Sequence, residues 1–478
     1  MPSIWSETTQ IAPRPPLPGD LETDTAVIGG GMAGVLTAWL LKEAGVESVV
    51  LEAQRLGSGQ TRNTTAKITS QHGLIYDKLT RRFGAEQAGQ YARVNQRAIA
   101  EYRRIVRELA IDCALEERAA YLYSTLDEDA LRAEAHAARA LGLNAQFTAQ
   151  TALPFPVKGA VRFEEQAQFH PLRFLAAVAE QVTVYEQTLV LRVDGGRVET
   201  DRGTVRARHV VFACHFPFVN APGYYFARMH QERSYVLALK NAPQLDGMYY
   251  GVDPEGLSFR NAGEYLLLGG GNHRTGENSA GGRYELLRQA ARRCYPDSRE
   301  AAHWSAQDCI TLDGVPYIGV YAPSVPNWYV ATGFQKWGMT SSMAAAMLIS
   351  ARITGREDPD GAVFSPRRFK LPAAGANLLE DGKQTVKGLS RQLFTSGRAE
   401  LEALPSGHGG VVELDGEKVG AYRDETGELF LVSTRCPHLG CQLEWNPDEK
   451  SWECPCHGSR FDHRGRLLEG PAQTHLTE

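Results

Sequence analysis

The sequence predicts an α/β protein. A large domain is built on a Rossmann-like dinucleotide-binding unit with an interleaved antiparallel-sheet substrate domain, and a small all-β domain follows. Three observations carry this. The apolar run at 25–28 passes straight into Gly29-Gly-Gly31-Met32-Ala33-Gly34, then a helical stretch, then a second apolar run at 48–51. Residues 224–275 alternate apolar and polar, as half-buried antiparallel strands do. Near the C-terminus, two Cys/His pairs sit among short alternating runs.

The chain has 478 residues, room for roughly two to four domains. Hydrophobic content of 43% and charged content of 22% suit a globular protein. Net charge is −5 and no basic stripe occurs, so neither nucleic acid nor an acidic membrane surface is an expected partner. No apolar run reaches about eighteen residues, so no membrane span is expected. Residues 1–24 lack an apolar core and carry Pro13, Pro15, Pro16 and Pro18, which reads as an extended arm and not a signal peptide. Cys113, Cys214, Cys294 and Cys309 are scattered, as reduced buried thiols of a cytoplasmic protein would be.

The first strand, glycine turn and helix form a βαβ unit. Gly29, Gly31 and Gly34, with Met32 and Ala33 between them, permit the tight turn and let a pyrophosphate approach the helix N-terminus. Glu52, at the end of the second strand and about twenty residues on, is placed to accept ribose hydroxyls, with Ala53 beside it. The loop at 57–69, including Thr64, Thr65 and Ala66, is small and hydroxyl-rich; it suits a backbone packed on a flavin, or a plain surface loop. Residues 84–145 have helical spacing, and Pro171 opens another helix with His170 as a cap. Short β runs follow at 182–193, 197–202 and 204–212. Residues 269–276 (Gly-Gly-Gly-Asn-His-Arg-Thr-Gly) read as a mobile loop.

A second informative stretch runs from Thr311-Leu-Asp-Gly through Ala331-Thr-Gly333-Phe-Gln-Lys336-Trp337-Gly338-Met339-Thr340. A helix starting near Gly338 would aim its unpaired N–H groups and positive dipole end at the cofactor. Lys336, two residues earlier, and Trp337 are the candidate catalytic residues; for Lys336 the alternative is an exposed lysine at a loop tip. The paired motifs resemble those of the D-amino-acid-oxidase superfamily, which includes glycine, sarcosine and γ-glutamylputrescine oxidases. The loop after Glu52 keeps that superfamily's pattern only in part. The resemblance implies FAD, an adenine covered near Val190, and a strand ending at Ala213 that returns to the dinucleotide sheet. It implies contacts from Gly333, Lys336, Gly338, Met339 and Thr340, and an amine or amino-acid substrate. Arg260, Arg274, Tyr235 and Tyr250 are candidate substrate contacts or surface residues.

The tail offers Cys436-x-His438 and Cys454-x-x-His457. Two thiolates and two imidazoles would bind structural Zn²⁺ or a [2Fe-2S] cluster with cysteines on one iron and histidines on the other. The segment from about 400 onward resembles a Rieske domain of the disulfide-bearing type found in quinol–cytochrome c oxidoreductases. That resemblance implies a disulfide between Cys441 and Cys456. Ser459 would donate to a cluster sulfur, while Phe461 stands where high-potential members carry a tyrosine. The potential is then expected within about −150 to +300 mV, below the top of that range.

The expected organisation is an oxidoreductase over 1–370, with FAD parts at about 20–80, 150–220 and 305–370 and substrate parts at about 81–149 and 221–304. A linker at 371–400, with a helix around 383–393, leads to the Rieske domain at 401–478. The expected activity is oxidation of a C–N bond, with electrons passing singly from FAD to the cluster and on to an external one-electron carrier or quinone. Reverse flow into a reductase or oxygenase reaction, and a redox sensor using Cys441 and Cys456, are the alternatives.

Overall fold

The computed structural model describes residues 2–368 and 401–477 apart from 415; the expected linker and its helix lie outside the described residues. The glycine motif joins strand Leu21–Ile28 to helix Met32–Glu43, and strand Ser48–Leu51 follows. The first strand starts earlier than its apolar run because Leu21, Glu22 and Thr23 pair in parallel register with Val205, Arg206 and Ala207. Part of the expected extended arm is instead a short helix, Ile4–Thr8, capped by Ser3 and anchored by buried Ile4 and Trp5.

Around this unit stands a sheet with the order Tyr317–Ala322, Val325–Thr332, Thr204–Phe212, Leu21–Ile28, Ser48–Leu51, Thr183–Tyr185. Its central pairs are parallel, and Tyr317–Ala322 adds an antiparallel edge. The apolar helices Met32–Glu43 and Gly338–Ile353 are buried over most of their lengths. A helix hydrophobic nearly all round belongs inside a large domain.

The second sheet runs Arg299–Thr311, Met229–Lys240, Tyr265–Arg274, Ser258–Ala262, Gly247–Gly251, Glu116–Ser124, Gly159–Gln168, Lys67–Ile68. It is antiparallel but for one parallel pair, Gly247–Gly251 with Glu116–Ser124. Several expectations change here. Within 84–145, residues Glu116–Ser124 form a strand buried toward its C-terminal end, not a helix. Gly159–Gln168 and Arg299–Thr311 fall largely in ranges expected for the FAD part, yet both pair into this sheet. Residues 269–274 are not a loop: the strand continues to Arg274, opposite Glu232. Their glycines are strand glycines where side chains from Leu257, Leu287 and Ser258 crowd in.

The small domain has a three-stranded sheet (Gly409–Leu414, Glu417–Arg423, Leu429–Ser433) and a four-stranded one (Glu444–Asn446, Ser451–Glu453, Arg460–Asp462, Leu467–Glu469). Its core is Tyr422, Leu443, Trp445, Trp452 and Phe461 packed with Cys436, Cys441, Cys454 and Cys456. No helix among the described residues is long and apolar enough to cross a membrane.

Candidate functional site

The dinucleotide cradle is made of backbone. Gly29 has φ +112°, and a Cβ there would lie 2.6 Å from the Ala213 carbonyl oxygen, so strand Thr204–Phe212 closes against the turn. A Cβ on Gly34 would lie 2.0 Å from the Gly29 carbonyl oxygen. Gly31 differs: an added Cβ meets only Thr61 Oγ1, at 3.4 Å. Neither Gly31 nor Trp337 gives a side-chain cap to helices Met32–Glu43 and Gly338–Ile353, although the Met32 N–H donates to Thr61 Oγ1 at 3.1 Å. Nothing lies within 4 Å of a Cβ on Gly338. Two N-termini without a cap from their own N-cap residue, with open space at the leading glycines, fit an anionic dinucleotide. Glu52 accepts from the Gly30 and Gln54 N–H groups at 2.7 and 2.8 Å, which fixes its carboxylate at the strand end. Burial nevertheless raises its pKa.

The two flavin stretches meet. Thr340 Oγ1 donates to the Thr69 carbonyl (2.8 Å), and the Thr69 N–H donates back to Thr340 Oγ1 (3.0 Å). Ala66 holds a left-handed φ of +57°, a strained choice for a residue with a Cβ. Buried Arg260 supports it by donating to the Thr65 and Ala66 carbonyls, at 2.6 Å each. Arg260 is thus committed to the backbone and is not a substrate contact. Gly333 is occupied with packing, since a Cβ there would lie 2.3 Å from Thr311 Cγ2. Val190 is buried, and its carbonyl accepts from Gln473 of the small domain at 3.3 Å.

Lys336 is largely buried between two carboxylates, 3.3 Å from Glu232 Oε2 and 3.4 Å from Asp308 Oδ2. Burial alone would lower its pKa, but Asp308 and Glu232 outweigh that and raise it, so the ammonium stays charged. Glu232 is desolvated too, yet His230 and Lys336 hold it down to about 2. Burial raises Asp308. Trp337 stacks on His72 (centroids 4.9 Å, 19°) and meets Tyr250 edge-on (5.0 Å). Tyr250 therefore packs against the candidate loop that carries Lys336 and Trp337. Lys67, which no motif marked, lies on the same side. Its Nζ donates to the Tyr249 carbonyl (3.0 Å) and lies 5.9 Å from the centroid of the Tyr250 ring. Burial, then Arg260, pushes its pKa down to about 7.

The small domain brings Cys436, His438, Cys454 and His457 together. The Cys436 and Cys454 thiols share a hydrogen bond, which lowers the first and raises the second; Ser459 also bonds Cys436. The two imidazole rings are perpendicular with centroids 4.9 Å apart. His438 Nδ1 is buried without a hydrogen-bond partner, as a metal-ligating nitrogen would be. Cys441, Cys454 and Cys456 also have mutually close sulfurs. That trio is not a ligand set, because Cys441 and Cys456 are paired Sγ to Sγ. The donors left are two thiols and two imidazoles, which fit a [2Fe-2S] cluster with two histidine ligands.

The cluster loops face the large domain. His438 Nε2 lies 2.9 Å from Asn220 Oδ1, and the Phe226 ring meets His457 edge-on at 5.7 Å. Below them the adjacent strands Met229–Lys240 and Arg299–Thr311 form a ledge. Arg233, almost fully buried, lies 2.8 Å from Glu449 and 3.7 Å from Glu469. Arg460 lies 3.2, 3.1 and 3.3 Å from Glu449, Glu453 and Glu469. Arg274 donates to the Pro455 carbonyl (3.3 Å), and the Tyr235 hydroxyl accepts from Asn446 (3.2 Å). Both belong to this seam and not to a substrate site. None of it was legible as a site, because the partners come from strands far apart in sequence.

A model of the FAD dependent oxidoreductase family (DAO) matches residues 24–352, and one of the Rieske [2Fe-2S] domain matches 398–478. A Bacillus subtilis protein named "Putative Rieske 2Fe-2S iron-sulfur protein YhfW" is 39% identical over 490 residues, covering 98% of this chain and 96% of its own. The "Cytochrome b6-f complex iron-sulfur subunit 2" of Nostoc sp. is 31% identical over 118 residues, covering 24% of this chain and 65% of its own. Among solved structures, glycine oxidase from Geobacillus kaustophilus superposes with a TM-score of 0.62 at 21% identity, covering 73% of this chain and 100% of its own. L-proline dehydrogenase from P. horikoshii gives 0.62 at 17% identity, covering 74% and 98%. At these identities the two structures speak for the fold.

Proposed function

The chain belongs to the FAD-dependent oxidoreductase (DAO) family and ends in a Rieske [2Fe-2S] domain, and on that premise we propose that it oxidises the C–N bond of an amine or amino acid and passes the electrons singly, through the Rieske domain, to an external carrier or quinone. The observation that carries this reading is the ledge. Lys336 lies on one face, between Glu232 and Asp308. On the other face sits the cluster loop, bonded at the His457 carbonyl by Gln231. When bound, FAD accepts a hydride from the substrate, and the cluster carries one electron at a time.

The residues present have defined tasks. Gly29, Gly31, Met32, Ala33 and Gly34 offer backbone to the pyrophosphate, and Glu52 with Ala53 lies at the ribose end. Thr64, Thr65 and Ala66 form the wall that Arg260 braces. The N-terminus at Gly338, Met339 and Thr340 stabilises negative charge. Lys336 would hold a positive charge toward a bound flavin, and Trp337 with Tyr250 would exclude water from the same side. Cys436, His438, Cys454 and His457 hold the cluster, and the Cys441–Cys456 disulfide ties their loops. Cytoplasmic placement is part of the proposal; Cys113, Cys214, Cys294 and Cys309 are free thiols.

Steady-state assays with a panel of amines and amino acids, each with oxygen, a quinone and a one-electron dye as acceptor, test the reading. Turnover with an amine and preferential reduction of the dye or quinone is expected. A cluster midpoint near about −400 mV, the range of all-cysteine clusters, would overturn the outward direction of flow, and zinc by metal analysis would overturn the relay.

A further inference from the structure

Strand alternation divides the ledge into two faces. Glu232 pairs with Asp308, and the flanking pairs are Gln231 with Cys309 and Arg233 with Gln307. Glu232 and Asp308 meet Lys336, so Gln231 and Gln307 point the other way, into the seam. Both are fully buried. Gln231 Nε2 donates to the His457 carbonyl (2.6 Å) and the Gly470 carbonyl (3.3 Å). Gln307 Nε2 donates to Gln231 Oε1 (2.7 Å) and the Gly458 carbonyl (2.9 Å). Gln307 is tied in turn to the loop after Glu52: its backbone N–H donates to Gln60 Oε1 at 2.8 Å. Gln60 Nε2 donates to Glu469 at 2.6 Å.

Two close approaches fix the same corner. Gly458 has φ +79°, and a Cβ there would lie 2.6 Å from Gln231 Cβ. Gly276, on the large domain, has φ +78° and would meet the Pro455 backbone nitrogen at 2.7 Å. A buried amide that loses its partner carbonyl cannot turn to water, so the corner has one low-energy seat.

We propose that Gln231 and Gln307 are positioning residues for electron transfer between the two cofactor sites: their carboxamides hold the His457–Gly458 corner of the cluster loop at a fixed place on a strand pair whose opposite face carries Lys336. The small domain then works docked, not as a swinging head. This rests on the flavin-to-cluster reading above. In the step concerned, the reduced flavin loses one electron and one ferric ion of the cluster becomes ferrous.

The test uses full-length protein carrying both cofactors. The flavin is reduced by a laser flash with 5-deazaflavin as photoreductant, and its reoxidation by the cluster is followed optically. The cluster's electron paramagnetic resonance (EPR) spectrum is recorded after dithionite reduction. Gln231→Leu and Gln307→Glu keep the size of the side chain but remove the N–H donors. Each is expected to slow the internal transfer about tenfold, the scale of one lost buried hydrogen bond. Each should also shift or broaden the EPR lines, while iron and flavin contents and the initial photoreduction stay unchanged. Should Gln231→Leu fail to fold, Gln307→Glu decides alone. Variants with full iron, wild-type lines and wild-type transfer overturn the positioning role. Wild-type protein that holds both cofactors yet shows no transfer overturns the relay itself, and the positioning role with it.

Discussion

The two cofactor sites are built from opposite materials. The candidate cluster site is made of side chains: two thiols and two imidazoles on two short loops, beside Cys441 and Cys456 paired Sγ to Sγ, in a small aromatic core. The dinucleotide site is made of backbone: glycines, two helix N-termini without a cap from their own N-cap residue, and a left-handed alanine. A side-chain site fails at one ligand. A backbone site fails when something is added, because its function is to leave room.

The sharpest way to break this contrast is a crossed pair of variants. Cys454→Ser should abolish iron binding completely and leave the flavin spectrum intact. Gly31→Val should do the reverse, since a branched side chain enters space now bounded only by Thr61. Iron analysis and visible spectra of both proteins check this; loss of both cofactors from either variant would show that the two sites fold as one.

A second experiment addresses the seam. Arg233→Met leaves Glu449 and Glu469 short of a buried partner, a change that costs about 3–5 kcal/mol and should appear as a lower melting temperature. Acid acts on the same groups. Burial opposes ionisation of Glu449, but Arg233 and Arg460 prevail and depress its folded pKa from 4.5 to about 2. A depressed carboxylate pKa contributes stability above the unfolded value that is lost as pH falls through the folded one. The seam should therefore hold at pH 5 and weaken between about 4.5 and 2. Small-angle scattering against pH measures it; an unchanged profile down to pH 2 would remove the ion network from the clamp.

Lys336→Met is expected to slow flavin reduction or reoxidation about tenfold or more. Unchanged half-reactions in stopped flow would make the lysine a bystander to the chemistry. The smallest effect is at Phe461. This ring is fully buried, so Phe461→Tyr should raise the cluster midpoint only if its new hydroxyl reaches the cluster; a redox titration followed by EPR reports the sign.

Legibility in the sequence follows the same division. Cys436, His438, Cys454 and His457 stand out in the sequence because candidate ligands come at short fixed spacings on a tight loop. The cradle was readable because the glycine turn stands between a strand and a helix. Residues 269–274 were misread, since a glycine run signals a loop unless its neighbours are known; here those neighbours are strands Met229–Lys240 and Ser258–Ala262. Arg260 and Arg274 looked like carboxylate binders, but each donates to backbone carbonyls. Gln60, Gln231 and Gln307 left no trace, because a neutral amide on a loop or a strand has no local signature and its partners are distant in the chain.

The glycine pair Gly276 and Gly458 carries a consequence for how such a protein can vary. Each stands where the other domain's chain leaves no room for a Cβ, and the carboxylates that answer Arg233 lie on the partner domain. The two halves are therefore not interchangeable parts. A Rieske domain transplanted from elsewhere would have to bring a glycine at 458 and acids at 449, 453 and 469, or the graft would fold beside its host without seating. A change at one side of the seam therefore calls for a matching change at the other.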